Sequence, residues 1–165
     1  MNEDVESFRY TVHQLIAVDS PIRIENTNAE HAKAVFMEMF ASVKQEAYVF
    51  CGSLCPEFWG DPELVSAVRE AAKREGVMQI TFMVQSREPT DDDMLKKMVA
   101  KERLESTVKF VHKDSYASVD HHFAVFDGKR YRFEIDSEGR KAFACANNPE
   151  LAGLLTQVAK KLIAA

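Results

Sequence analysis

The sequence predicts an α/β domain, a layered mixed sheet built from strand–helix repeats and closed by a β-hairpin and a final helix. Three observations predict it. Apolar strand-like runs alternate with amphipathic helical patterns three times between Ile22 and His112. An Asp127-Gly128 pair then stands between two runs rich in large apolar residues, the signal of a two-residue hairpin turn. A last helical pattern opens after Asn148.

The elements follow in order. Val5, Phe8, Val12, Leu15 and Ile16 share one side of an N-terminal amphipathic helix within residues 1–20, which Pro21 ends. Residues 21–165 read as the α/β domain, with no linker or low-complexity tract between the two parts, so the chain is expected to be a single domain overall. "IRIEN" alternates as a short strand. Asn28 caps a helix expected from Ala29 to about Glu46, with Ala32, Val35, Phe36, Met39, Phe40 and Val43 as its apolar stripe. "AYVFCGS" is a buried strand closed by Gly52-Ser53. Asp61 caps the next helix, Pro62 occupies its first position and Gly76 stops it. "VMQITFMVQ" is a third strand. "DDDMLKKMVAKERLES" is a helix whose three acids lie at the end its dipole favours. "VKFVH" is a fourth strand. After the hairpin, "KAFACA" is one more strand, and the helix from Pro149 turns Leu151, Leu154, Leu155, Val158 and Leu162 inward.

A chain of 165 residues is long enough for one domain with a real core. The net charge of -5 gives no general basic footprint for nucleic acid. Cys51, Cys55 and Cys145 cannot all pair within one chain, which points to reduced thiols and a cytoplasmic setting. "MNEDVESFRY" lacks the basic region and apolar core of a signal peptide, and no apolar run is long enough to span a bilayer. No membrane partner is expected.

In sheets of this kind ligands sit beyond the carboxyl ends of the parallel strands. Those ends carry Asn26 and Asn28, Gly52 and Ser53, Gln85 and Ser86, and His112 and Lys113. They are polar, as a binding edge or any ordinary loop would be.

The hairpin carries the densest chemistry. A two-residue loop pairs Phe126 with Lys129, Val125 with Arg130, Ala124 with Tyr131, Phe123 with Arg132, His122 with Phe133, His121 with Glu134 and Asp120 with Ile135. One face then holds Asp120, His122, Ala124, Phe126, Tyr131, Phe133 and Ile135. The other holds His121, Phe123, Val125, Arg130, Arg132 and Glu134. A slip of one residue exchanges these assignments. Asp120 either orients a working His122 imidazole or satisfies a half-buried one. His121 and Glu134 form either an acid–base pair or a cross-strand ion pair. Arg130 and Arg132 are either a phosphate clamp or a solvated sheet face. The catalytic candidates are His121, His122 and Glu134. The ligand-binding candidates are His31, Asp120, His122, Asp127, Arg132 and Asn147.

Other motifs carry less. Cys51-x3-Cys55 has a spacing usable for zinc if His31, His121, His122 or Cys145 folds nearby, but free cysteines are usually buried strand residues. "GSLCPEFWG" lacks the ending of a phosphate loop, and Asp91-Asp92-Asp93 lacks the glycine and glutamate of a calcium loop. Phe58 and Trp59 form either a partner surface or a cap on the core. No cofactor and no metal are expected.

At "SVDHHFAVFDGKRYRFEID" the chain resembles the phospholipase D-like superfamily, whose members cleave or form phosphodiester bonds. Its signature is H-x-K-x4-D-x6-G-S-x-N, and two copies make one active site. The resemblance covers the architecture from about Ile22: three strand–helix units, strand-Asp-Gly-strand, and a helix. With Asp127 on the signature's aspartate, His122 takes the lysine position and Asp120 the histidine position. Glu134 falls on the glycine, Ile135 on the serine and Ser137 on the asparagine. The stretch is similar to phospholipase D-like domains that read "HHF-x-V-x-D-G-x-x-Y-R-x-E", carried here by His121, His122, Phe123, Val125, Asp127, Gly128, Tyr131, Arg132 and Glu134. "NAEHAKAVFMEMF" and "NNPELAGLL" sit where such domains place their first and last helices.

The resemblance implies a phospholipase D-like half, paired into a homodimer, with a degenerate motif. A carboxylate at position 120 is a weak nucleophile and repels a phosphodiester. The expected function is therefore a non-catalytic binding or interaction module for a phosphate-containing ligand, nucleic acid or a protein partner. The alternatives are a phosphodiesterase or nuclease built on His121, His122, Arg132 and Glu134, and a structural subunit of a complex.

Overall fold

The computed structural model describes residues 3–136 and 141–165. Ser137, which the motif alignment placed on the asparagine, lies outside the described residues. In chain order the elements are α1 (Glu3–Ala17), β1 (Arg23–Asn26), α2 (Ala29–Ser42), β2 (Glu46–Cys51), α3 (Pro62–Lys73), β3 (Gln79–Val84), α4 (Met94–Glu102), β4 (Val108–Val111), β5 (Phe123–Phe126), β6 (Arg130–Asp136), β7 (Lys141–Cys145) and α5 (Pro149–Ala164). A 3-10 turn, Asp114–Ser118, joins β4 to β5. The strands form one seven-stranded mixed sheet in the order β1-β7-β6-β5-β2-β3-β4.

The expected caps form. Asn28 accepts from the His31 amide, Asp61 from those of Glu63 and Leu64, and Asn148 from that of Leu151. α2 stops at Ser42, short of the expected Glu46. The carbonyls of Phe40 and Val43 at its end accept from the Arg74 guanidinium, which satisfies groups the helix leaves open. Glu46 instead opens β2.

The sequence pattern implied parallel pairing throughout the first half of the sheet. Parallel neighbours are β2, β3 and β4 alone. β1 pairs antiparallel with β7 at the far edge, because the hairpin and β7 lie between β1 and β2. A strand–helix–strand pattern fixes direction, not adjacency. The chain of pairings still runs β1, β2, β3, β4 and β6 in one direction, so their carboxyl ends share one edge.

The hairpin register differs by one residue from the expected one. Phe126 pairs with Arg130, Val125 with Tyr131, Ala124 with Arg132 and Phe123 with Phe133. The loop therefore holds Asp127, Gly128 and Lys129. Asp127 and Gly128 both adopt the left-handed region, at φ 57° and 59°. Asp127 is held there by long-range bonds, since its carboxylate accepts from the backbone amides of Lys44, Gln45 and Glu46 at 2.9, 2.8 and 3.1 Å. The slip exchanges the two faces. Arg130, Arg132 and Glu134 join Ala124 and Phe126 on the buried side facing α2, and the arginines are not a solvated face: Arg132 is 3% exposed.

Two apolar layers sandwich the sheet. On one side Phe36, Phe40, Phe58, Trp59, Phe82 and Phe126 pack in edge-to-face and stacked pairs under α2, α3 and α4. Phe58 and Trp59 are thus core, not an exposed surface. On the other side Tyr48, Phe50, Met83, Tyr116, Phe123, Val125 and Tyr131 meet α5. α5 approaches through Ala152, Leu155, Thr156 and Ala159. Small residues let the helix sit close to the sheet and centre its inward arc there. Leu154 and Val158, expected inward, stay 56% and 44% exposed.

Candidate functional site

β5 runs against β2 and β6, so His122, one residue before β5, lies where those strands end. The hairpin pairing continues to this point: the Glu134 amide donates to the His122 carbonyl at 2.9 Å. Glu134 and Arg132, two residues apart on β6, point to the same face as the His122 side chain. Residues from three other elements meet them there.

A continuous polar chain results. His122 Nε2 lies 2.9 Å from Gln85 Oε1. Gln85 Nε2 donates to the carbonyls of Tyr116 and Val119, each at 2.9 Å. Both Gln85 amide protons are thus spent, so Gln85 Oε1 is the acceptor and His122 Nε2 the donor between these two side chains. His122 Nδ1 lies 3.4 Å from Glu134 Oε1. Arg132 Nη1 donates to Glu134 Oε2 at 2.9 Å, and Arg132 Nε donates to Asn26 Oδ1 at 3.1 Å. The guanidinium also sits over the Phe36 ring, 5.1 Å from its centroid. Burial pushes the Glu134 carboxyl up. The bond from His122 and the charge of Arg132 outweigh that and hold it below the usual carboxylate range.

The chain borders a cavity of about 120 Å³, walled by Phe36, Phe58 and Trp59 and edged by Gly52, Ser53 and Cys55. Gly52 packs closely on the imidazole: a Cβ there would stand 3.0 Å from His122 Cε1, tight enough that the ring would have to shift. Cys51 lines the same cavity and, like Cys145, is a buried strand residue in no disulfide. Among the described residues no group of three His, Cys, Asp or Glu side chains is placed to hold a metal ion.

The other candidates lie elsewhere. His121 is exposed, tilted against Phe133 at 5.3 Å between centroids, and Asp120 is exposed while Gln85 and Glu134 take the His122 ring nitrogens. The expected Asp120–His122 and His121–Glu134 pairings are both replaced by His122–Glu134, a direct result of the register slip. His31 stacks on Phe8 at 4.1 Å and its Nε2 meets Asp4 at 3.1 Å, which ties α1 to α2. Asp127 is occupied by backbone amides at the opposite edge of the sheet. Asn147 donates to the Asp19 carbonyl and follows β7 at that same opposite edge. The structure thus brings together His122, Arg132 and Glu134. It adds Asn26 and Gln85, whose strand-end positions were legible but whose roles were not.

No protein-family model matches the chain, and no curated protein matches it in sequence. Solved structures do match in fold. One is TrmBL2, an archaeal chromatin protein that shows a novel mode of DNA binding, with a TM-score of 0.61 at 11% identity over 95% of this chain. This chain spans 58% of that protein's length, less than two thirds of it. Another is Nuc from Salmonella typhimurium, a phospholipase D family member, with a TM-score of 0.61 at 13% identity over 85% of this chain and 93% of that one. A phosphatidylserine synthase from Haemophilus influenzae Rd KW20 aligns with a TM-score of 0.45 at 11% identity, over 85% of this chain and 37% of that one. The chain has a phospholipase D-like α/β fold. Among the described residues no helix is long and apolar enough to cross a membrane.

Proposed function

We propose that the protein is a phospholipase D-like domain with a degenerate motif, acting as a non-catalytic binding module for a phosphate-containing ligand. One observation carries this reading: both ring nitrogens of His122 are committed, Nε2 to Gln85 and Nδ1 to Glu134. With both nitrogens so bonded, the imidazole offers no lone pair for attack on phosphorus or for taking a proton from water. Asp120, at the motif's histidine position, is exposed, and Gln85 and Glu134 take the His122 ring nitrogens in its place. The imidazole instead resembles a positioned polar wall, occupying the motif's lysine position.

The cavity volume supports a small ligand. About 120 Å³ is well below the roughly 300 Å³ at which pockets for whole metabolites begin. It has room for a single oxyanion group, with the rest of the molecule outside past Gly52 and Ser53. TrmBL2 binds DNA, and the shared fold makes nucleic acid a competing ligand. The net charge of -5 favours a small phosphate ester over a polyanionic backbone. The reading includes the homodimer that the resemblance implies.

Calorimetric titration with inorganic phosphate, a phosphate monoester and single-stranded DNA at low salt tests the reading. Saturable monoester binding that Gly52→Val abolishes is expected, because the added side chain enters the cavity mouth. Binding of DNA alone, or monoester binding unchanged by Gly52→Val, refutes it.

A further inference from the structure

A second cleft, of about 550 Å³, opens at the opposite edge of the sheet from His122, where α1 and α2 end and the hairpin turns. It gathers four cations, Lys44, Arg74, Lys129 and Arg130, against two carboxylates, Asp19 and Asp127. This excess of two positive charges is local, because the whole chain carries -5. Among the described residues only three other than glycine adopt a positive φ. Two of them, Asp19 at 49° and Asp127 at 57°, line this cleft.

The cations are anchored and keep donors in reserve. Asp19 Oδ1 accepts from Lys129 Nζ at 2.7 Å and from Arg130 Nη2 at 2.9 Å. The bond from Lys129 lowers the Asp19 carboxyl. Slight burial opposes it, and the charges of Lys129, Arg130 and Lys44 add to it, so the group lies below its usual range. Asn147 Nδ2 holds the same residue by its carbonyl at 3.1 Å. Arg74 is fixed through Nη1, which donates to the carbonyls of Phe40 and Val43. Lys44 is exposed, and its ammonium has no partner among the described residues. Arg130 is 8% exposed, and its bonds all leave from Nη2. Its Nε, shut off from solvent, has no partner among the described residues. A buried donor without an acceptor is costly, and native proteins rarely keep one without a use.

We propose that this cleft is a binding site for a small diphosphate, separate from the cavity beside His122. Its two guanidinium groups are each anchored through a single nitrogen, so each keeps donors for one oxyanion group. A lysine stands next to each. Lys129 precedes Arg130, and Lys44 follows Val43, whose carbonyl Arg74 bonds. A terminal phosphate has three oxygens, enough for a guanidinium and a lysine together. A carboxylate has two, both engaged by a bidentate guanidinium. Two linked phosphates therefore match the four cations, and a single phosphate meets half of the set. The charge of a diphosphate answers the local excess and offsets the desolvation of the Arg130 guanidinium. The volume lies within the range of sites for whole small molecules. Asp19, Asp127 and the overall charge of -5 disfavour a nucleic-acid backbone here.

Calorimetric titration of the full chain with pyrophosphate tests this, without divalent cations and at about 0.15 M salt to screen non-specific attraction. One saturable site per chain is expected. Lys44→Glu weakens it by at least about tenfold. Because Lys44 is exposed, the circular dichroism spectrum of that variant is unchanged. Lys97→Glu, the same charge change at an exposed position of α4 outside the cleft, leaves binding as it was. Gly52→Val leaves it as well, which separates this site from the one proposed beside His122. No saturation by about 5 mM pyrophosphate overturns the proposal. So does equal weakening by Lys97→Glu, loss of binding in Gly52→Val, or orthophosphate or succinate that displaces pyrophosphate at equal concentration.

Discussion

Replacing Glu134 by glutamine removes one charge from the centre of the polar chain. The side chains of Arg132 and Glu134 are 3% and 5% exposed, so the guanidinium would keep its burial and lose its counter-charge. Breaking a buried pair from one side costs about 3–5 kcal/mol. The lower end applies, because glutamine retains an acceptor oxygen and Arg132 keeps its bond to Asn26 and its place over Phe36. With a urea slope of about 2 kcal/mol per molar, a loss of about 3 kcal/mol lowers the unfolding midpoint by roughly 1.5 M. The pH dependence carries a sign. The folded carboxyl lies below the usual value of 4.5. Its stabilisation is therefore fully present above that pH and is lost as pH falls through the folded value. The gap between wild type and Glu134→Gln is full at neutral pH and narrows on acidification below about pH 4.5. A midpoint shift under about 0.5 M, or a gap that widens in acid, would show that Glu134 is not the counter-charge of Arg132.

Three other outcomes follow from the same geometry. Asp127→Ala leaves three backbone amides without their acceptor and puts alanine at φ 57°, a loss of about 2–3 kcal/mol in urea unfolding. Asp127→Asn, which keeps an acceptor and tolerates that conformation, loses less than half as much. Tyr48 is pushed up to about 12 by burial and by Glu46 beside it. In a spectrophotometric titration its phenol ionises last, and Tyr48→Phe removes that late step while leaving the earlier ones. Gly52→Ala brings a methyl to 3.0 Å of His122 Cε1, and the imidazole must give way. Nitrogen-detected NMR of the His122 ring then shows both resonances moved, while those of His121, outside the cavity, stay fixed.

Much of the fold was legible because local chemistry and tertiary structure agree. Asn28, Asp61 and Asn148 announced three helices and cap all three. The polar residues at strand ends, Asn26, Gly52 and Gln85, do converge on one edge. The hairpin register was not legible, because it is set outside the hairpin. Asp127 answers to amides some eighty residues away, and the Lys129 carbonyl accepts from the Asn148 amide. That single slip decided the site, moving Glu134 from His121 to His122 and Arg132 from solvent to core. The adjacency of β1 and β7 was hidden for a similar reason, since pairing across the whole chain leaves no local trace. In α5, Ala152 and Ala159 share the buried arc with the expected Leu155, while Leu154 and Val158, also expected inward, stay exposed.

A non-catalytic role requires that the His122 imidazole have no nitrogen free for chemistry, and turnover of an activated phosphodiester reads that out. Purified wild type and His122→Ala are incubated at high enzyme concentration with bis-p-nitrophenyl phosphate, and nitrophenolate release is followed. Release at the buffer rate is expected for both proteins. Release above buffer by the wild type, abolished in His122→Ala, would contradict it and make this polar chain an active site.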